Sequence, residues 1–344
     1  MFFALTEEQQ EFGAAVIGYL ADRFDLEAVR GIVEDPAGDG HPAALWKAAA
    51  EQGWLAVTVP EEHDGLGLGL VEAQVIARAL GAGVAPGPWR GTVLAAEAIR
   101  LAGSDEQQSA WLPRLASGDA VGAVALRGDA GGALPAVEYG AVADVVVARS
   151  GSADAPSAEA PGGGWSLVTG ATATPVGSYD GTVRLASLQG GTVEALPGSV
   201  DLDARVAVLV AADLVGIARE ALSRTVAYDS DRRQFGVPVG SFQALKHALA
   251  DLHVAVTMAE HAVLYAAHAV DVTLEGADLA VAVAKAKASD AAVAATGAMI
   301  QYHGGIGYTW EHEAHFFYKR AKRLAGIAGT ADAHRARIAE LTIG

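Results

Sequence analysis

The chain has 344 residues, 51% of them apolar and much of that fraction alanine, with a net charge of −17 and no cysteine. That length and apolar fraction fit two or three domains with a sizeable core and exclude a disordered chain. The acidic balance argues against nucleic acid or an anionic membrane as partner, and the missing thiol excludes disulfides, a cysteine nucleophile and a cysteine-based metal site.

The start, Met1-Phe2-Phe3-Ala4-Leu5, runs into acidic residues with no basic segment and no long apolar core, so no signal peptide is expected. No apolar run reaches membrane-spanning length, because Asp213 breaks the stretch 205–218. A cytoplasmic protein is the expectation.

The first third reads as helices. Thr6 before Glu7 and Glu8 predicts a helix start, with an acceptor at the N-cap and acids in the first turn. Phe12, Val16 and Leu20 then recur in steps of four. Leu45, Trp46, Ala49 and Trp54 predict a second helix. Val57 to Pro60 leads into a glycine-rich loop, Gly65 to Gly69, and helices follow at about Val71–Leu80 and Val93–Leu101. Another starts at Gly103-Ser104-Asp105-Glu106 and carries Trp111 and Leu112. Gly65, Gly67 and Gly69 read better as a turn than as a phosphate loop. A dinucleotide fingerprint needs a buried strand before it and a different glycine spacing.

From about Ala120 the pattern changes to strands. Val121 to Leu126 alternates, and Val142 to Ala148 is a short apolar run. Ser150 to Gly164 reads as a flexible loop, rich in Ser, Ala, Pro and Gly. Short strands follow at Trp165–Thr169, Thr172–Val176, Thr182–Leu188 and Thr192–Ala195. From Asp203 the helical period returns through Val208, Ala212, Val215, Ala218, Leu222 and Val226, flanked by small residues that allow close helix contact. Further helices are predicted from Val239 past Ala269, from Ala277 to Ile300, over Glu311–Lys322 and over Thr330–Leu341. The expected fold is α+β and mostly α: an N-terminal helical domain (1–119), a small antiparallel β domain (120–202) and a C-terminal helical bundle (203–344).

Two stretches could carry chemistry. Tyr228 to Gln243 holds an arginine pair, Phe235, a Gly236-Val237-Pro238 turn and an amphipathic restart at Phe242 and Gln243. A guanidinium binds phosphate through two parallel hydrogen bonds, and a nearby ring can cover an aromatic ligand. The same residues also suit an ordinary helix–turn–helix corner. Gln301-Tyr302-His303-Gly304-Gly305-Ile306-Gly307 has three glycines in four positions, which lets a backbone lie against a ligand. A helix C-cap needs only one of them. His303 alone is as readily a packed histidine as a site residue.

These two stretches resemble the acyl-CoA dehydrogenase family. Tyr228-x-x-x-Arg232-x-x-Phe235-Gly236, with Gln243, is similar to its motif around the flavin pyrophosphate. Gln301-x-x-Gly304-Gly305-x-Gly307 is similar to its motif at the ADP half of FAD. Leu5-Thr6-Glu7-Glu8-Gln9, Leu45-Trp46, Val59-Pro60-Glu61-Glu62 and Trp111-Leu112-Pro113 resemble its N-terminal domain, so the likeness covers nearly the whole chain. It implies FAD bound at a subunit interface. Arg232, Phe235, Gln243, Gln301, Gly304, Gly305 and Thr330 would contact the ADP half of a neighbour's cofactor. The implied reaction takes an α-proton from an acyl thioester with a glutamate base and passes a β-hydride to flavin.

The departures point to a division of labour. The family's common glutamate position is Ala328, which cannot take a proton. The alternative position, near the start of the first bundle helix, is occupied by Arg205-Val206-Ala207. Asp201 and Asp203 are candidates for a relocated base, or simply helix-start acids. In the middle domain, Ala125 to Gly132 departs from the family's flavin-lining stretch, and its Trp-x-Thr-Asn stretch is missing. The pattern is similar to that of the non-catalytic β subunit of actinobacterial α2β2 acyl-CoA dehydrogenases, which act on bulky acyl-CoA thioesters in steroid side-chain catabolism. The implied partners are a related α subunit, an acyl-CoA substrate in the complex and an electron-transfer flavoprotein. The alternatives are a self-sufficient dehydrogenase with an unidentified base and a structural subunit with no role at the flavin. No metal site and no catalytic residue are expected.

Overall fold

The computed structural model describes residues 4–150 and 164–344. The loop expected at Ser150–Gly164 therefore lies, except for its two end residues, outside the described residues, as does the chain start at 1–3. Helices come first: α1 (Glu7–Arg23), α2 (Leu26–Glu34), α3 (Ala43–Glu51), α4 (Leu70–Ala82), α5 (Trp89–Ala102) and α6 (Asp105–Ala116). Strands follow: β1 (Gly122–Val124), β2 (Leu134–Glu138), β3 (Val145–Arg149), β4 (Trp165–Thr169), β5 (Thr172–Val176), β6 (Leu185–Gln189) and β7 (Thr192–Ala195). The last part is α7 (Leu202–Asp231), β8 (Arg233–Gln234), β9 (Val237–Pro238), α8 (Gln243–Asp271), α9 (Ala277–Tyr302), α10 (Ala314–Ala325) and α11 (Ala331–Ile343). The fold is mostly helical, with helices, then β structure, then helices.

Capping chemistry sets several starts. At α1, Thr6 Oγ1 accepts from the Gln9 amide at 3.2 Å and Gln9 Oε1 accepts from the Thr6 amide at 2.9 Å, closing a capping box. Ser104 and Gln107 repeat it at α6. Helix α2 was not foreseen, although Asp25 Oδ1 accepts from the amides of Glu27 and Ala28 at 3.1 Å and marks its beginning. Helix α8 starts four residues later than expected, because a short 3-10 turn at Val239–Ser241 follows Pro238.

The chain forms two compact units. One comprises Gly31–Ala73 and Pro86–Val206. It holds a four-stranded sheet in the order β1-β3-β4-β7 and a three-stranded sheet in the order β2-β6-β5. The expectation of antiparallel pairing holds except for β1 and β3, which pair in parallel with Gly122 opposite Val145. The chain between them detours through β2 in the other sheet, so β3 enters beside β1 in the same direction. Strand β2 was also missed. Pro135 argues against a strand, yet β2 is an edge strand with a bulge between Leu134 and Val137, where proline is tolerated. Val146, Ala148, Val168, Ala186 and Leu188 alternate into one buried cluster with Ala123 and Leu134. Val145 and Val147 point to the opposite face and are also buried, with α5 packed on that side.

The other unit comprises Met1–Arg30, Gln74–Ala85 and Ala207–Gly344. Here α4 and α7 touch backbone to backbone. A Cβ on Gly216 would stand 1.9 Å from the Arg78 carbonyl oxygen, and one on Gly81 would stand 2.2 Å from that of Asp213. Arg320 of α10 locks this crossing. It donates to both carboxylate oxygens of Asp213, at 3.1 and 2.7 Å, and to the Ala85 carbonyl at 2.9 Å, all buried. Helix α9 buries Ala280, Ala284, Ala288, Ala291 and Ala295, and α8, α10 and α11 pack against it. Small residues let these helix axes approach closely.

Candidate cofactor-binding surface

The surface is built where α7 and α9 end. Tyr228, in the last turn of α7, stacks on His303 at the C-cap of α9, with ring centroids 4.3 Å apart and planes 22° apart. The Tyr228 hydroxyl donates to the His303 carbonyl at 3.3 Å. His303 Nδ1 donates to the Met299 carbonyl at 2.7 Å, and burial holds the ring below the ordinary histidine pKa. His303 is thus a neutral, packed side chain that joins the two stretches singled out in the sequence. The His312 ring lies tilted beside it, with centroids 4.5 Å apart.

After α7 the chain makes a tight hairpin. Gln234 pairs with Val237, leaving Phe235 and Gly236 as the turn, with φ of 52° and 81°. Both central residues are left-handed, as a type I′ hairpin requires, but phenylalanine is a poor choice for the first. Phe235 is also 92% exposed, with its ring edge-on to Phe242 at 6.3 Å. Arg232 is fixed through its backbone: its amide donates to the Tyr228 carbonyl and its carbonyl accepts from the Val239 amide, both at 2.8 Å. Its guanidinium is exposed and pairs with no carboxylate among the described residues. Gln243 opens α8 and is exposed. The N-cap of that long helix, Phe242, offers no side-chain acceptor, so first-turn amides and the positive end of the helix dipole remain available.

Sequence reading missed one residue here. Asp229, three positions before Arg232, is 1% exposed and both of its oxygens lack a hydrogen-bond partner. Burial pushes its pKa up to about 6. The helical period through Leu222 and Val226 does run on to position 229, but an acid near the end of α7 looks solvated in the sequence.

At the other edge, Gln301 is exposed in the last turn of α9. The three glycines after it differ in why they are glycines. Gly304 is left-handed, with φ of 64°, and ends the helix. Gly307 is buried, and a Cβ there would come within 2.5 Å of the Ile300 carbonyl oxygen. Gly305 has neither reason: its φ is −53° and no atom lies within 4 Å of an added Cβ. The fold does not require glycine at 305, whereas a ligand lying on the backbone does.

Thr330 caps α11, accepting from the Ala333 amide at 3.2 Å. No hydrogen bond or ring contact joins it to the Arg232 or Gly304 segments among the described residues. Ala328, two residues earlier, is left-handed with φ of 54°, and its carbonyl accepts from His334 Nε2 at 2.7 Å. Both alternative acids have other work. Asp201 accepts from the Ala204 amide at 3.0 Å as the cap of α7, and Asp203 pairs with Arg149. Arg205 lies buried, 3.1 Å from Glu97. Asp129 Oδ1 accepts from the Gly131 amide at 3.0 Å, so the 125–132 segment ends in a local turn.

This donor set suits a dinucleotide diphosphate: an unpaired guanidinium, an uncapped helix start, an exposed ring and an open glycine surface. Comparison with known proteins gives the family. The acyl-CoA dehydrogenase N-terminal domain matches residues 6–119 and the acyl-CoA dehydrogenase C-terminal domain matches 204–342. The acyl-CoA dehydrogenase IpdE2 of Mycobacterium tuberculosis is 37% identical over 325 residues, covering 93% of each chain. Among solved structures, a steroid ACAD variant of Tcur3481–Tcur3483 superposes with a TM-score of 0.86 at 25% identity, covering 98% of both chains. The ChsE4–ChsE5 complex from Mycobacterium tuberculosis gives 0.83 at 26%, covering 99% of this chain and 98% of that one.

Proposed function

Because the chain belongs to the acyl-CoA dehydrogenase family, we propose that it is the subunit of a hetero-oligomeric, FAD-dependent acyl-CoA dehydrogenase that lends cofactor contacts while a related partner supplies the base. FAD is the cofactor of this family, and the residues described above fit its ADP half. The observation that carries the reading is an asymmetry. Ala328 stands where the family has its glutamate, while the Arg232 hairpin and the Gly304–Gly305 surface are complete and uncovered.

In this reading Arg232 binds the pyrophosphate through two N–H donors, and the start of α8 adds dipole and amides. Phe235 covers an apolar face of the cofactor, and Gln243 and Gln301 offer amide groups to its polar edges. Gly304 and Gly305 let it lie on the backbone, and Thr330 lines the same half. The bound flavin supplies the hydride acceptor. The α-proton goes to a carboxylate of the partner in this reading, because a methyl group stands at 328 and the two candidate aspartates, Asp201 and Asp203, are engaged. The partner is a related α subunit, in an α2β2 assembly with the domains 1–119, 120–202 and 203–344 on this chain. The two-protein names of the Tcur3481–Tcur3483 and ChsE4–ChsE5 structures support a paired assembly, and the first supports a steroid acyl-CoA substrate. Electrons would leave to an electron-transfer flavoprotein. We place the complex in the cytoplasm; among the described residues no helix is long and apolar enough to cross a membrane.

The test is the visible absorbance and native mass of the chain, purified alone and co-expressed with a candidate α subunit. The expected result is a colourless chain alone and a yellow complex with one FAD per αβ pair. Arg232→Lys in that complex should lower FAD content at least tenfold, since an ammonium cannot make the bidentate contact. A yellow homo-oligomer with one FAD per chain would overturn the reading.

A further inference from the structure

Lys285 of α9 is fully buried, and among the described residues no carboxylate pairs with it. Its ammonium donates to Ser289 Oγ at 3.1 Å, to the Ala325 carbonyl at 3.2 Å and to the Gly329 carbonyl at 3.0 Å. Three donors meet three neutral acceptors. Ala325 is the last residue of α10, so the cation stands at the negative end of that helix, where its carbonyls lack intrahelical partners. Gly329 belongs to the turn between α10 and α11, and the two residues there in succession, Ala328 and Gly329, have φ of 54° and 92°. An alanine rarely stays in that region unless its surroundings hold it. From the other side, His334 Nε2 donates to the Ala328 carbonyl, and burial holds His334 below its ordinary pKa, in the neutral form.

We propose that Lys285 is a positioning residue that fixes the turn 326–330, and with it Thr330 and the backbone at Ala328, by hydrogen bonding to carbonyls on both sides of the turn. The inference rests on the reading above for its functional meaning, since Thr330 is a proposed cofactor contact and 328 is the family's base position. Simple space filling does not explain a lysine here. Desolvation pulls its pKa down to about 8, which shows that the site disfavours the charge, and a methionine would fill the same length without that penalty. What methionine lacks is the three N–H donors.

The experiment is amide hydrogen exchange on the full flavin-free chain, comparing wild type, Lys285→Met and Lys285→Gln. The reporters are the amides of Gly326, Ile327 and His334, which bond to Arg323, Leu324 and Thr330 carbonyls at 3.0–3.1 Å. Lys285→Met should lower their protection at least tenfold while residues 288–299 of α9 keep theirs and the melting temperature does not fall. Lys285→Gln, which keeps N–H donors, should restore part of the protection. Unchanged protection at the turn, or an equal loss at the turn and along α9, would overturn the proposal. So would failure of both variants to fold, which would make Lys285 a condition of the fold instead. Thr330→Ala in the co-expressed complex reads the functional link separately. If FAD content is unchanged there while the turn loosens in Lys285→Met, the positioning role stands and the cofactor role of Thr330 falls.

Discussion

Asp229 offers a test of the local electrostatics that does not depend on a partner chain. Its carboxylate is buried without a hydrogen bond, in the last turn of α7, where the helix dipole also disfavours negative charge. The folded-state pKa is raised from 3.8 to about 6. The folded protein therefore holds a proton that the unfolded chain releases between those values, and stability falls as pH rises through that window. A shift of this size corresponds to about 3 kcal/mol once the group is ionised in both states. Screening at the end of the helix reduces this to about 2. Asp229→Asn keeps the shape and removes the titration. Its amide leaves its own polar atoms unmatched, at a cost that does not change with pH. The diagnostic is thus the change in the variant's advantage between two pH values. Urea unfolding should show Asp229→Asn gaining about 1–2 kcal/mol relative to wild type on going from pH 4.5 to 7.5. An advantage that is the same at both pH values would mean that the carboxylate has a partner in solution, and the account of its burial would be wrong.

The glycines separate fold from ligand. Gly307→Ala should lower the melting temperature by several degrees, because its Cβ would overlap the Ile300 carbonyl, whereas Gly305→Val should leave the melting curve of the chain alone within about a degree and abolish flavin retention in the complex. Phe235→Asn should raise the stability of the chain alone by about 0.5–1 kcal/mol, since asparagine tolerates the left-handed turn, yet weaken the complex measured by native mass or flavin release.

Much of this was legible in the sequence because it rests on local chemistry. Thr6 and Ser104 announce their helices by capping boxes, and β4, β5 and β7 appear at the expected residues because alternation and glycine punctuation are local signals. The arginine hairpin and the Gly-Gly loop could be found because each is one short stretch. What could not be read depends on residues distant in sequence. The parallel pairing of β1 with β3 follows from where β2 goes, and Pro135 hid an edge strand whose position only the sheet order reveals. Lys285 sits 40 residues before one carbonyl it holds and 44 before the other, and it looks like any solvated lysine on an alanine-rich helix. Asp229 is concealed for the same reason.

The unfavourable features of this chain also have a pattern. Phe235 sits in a strained turn and faces solvent, Arg232 has no counter-ion among the described residues, α8 begins without a side-chain cap, and Gly305 gives up conformational entropy for no packing reason. A sequence selected only to fold would correct three of them with single changes: asparagine at 235, serine at 242, alanine at 305. All of them lie on the segments that follow α7 and α9, whose ends are joined by the Tyr228–His303 stack. The same bundle pairs the buried Arg320 with Asp213, although Asp229 and Lys285 stay buried without an opposite charge among the described residues. On the function proposed above, the conflicts at 232–242 and 305 are those that a bound cofactor would relieve. Under the function proposed above, the methyl group at Ala328 leaves the base to a second chain, and these uncorrected residues are held for the cofactor the two chains share.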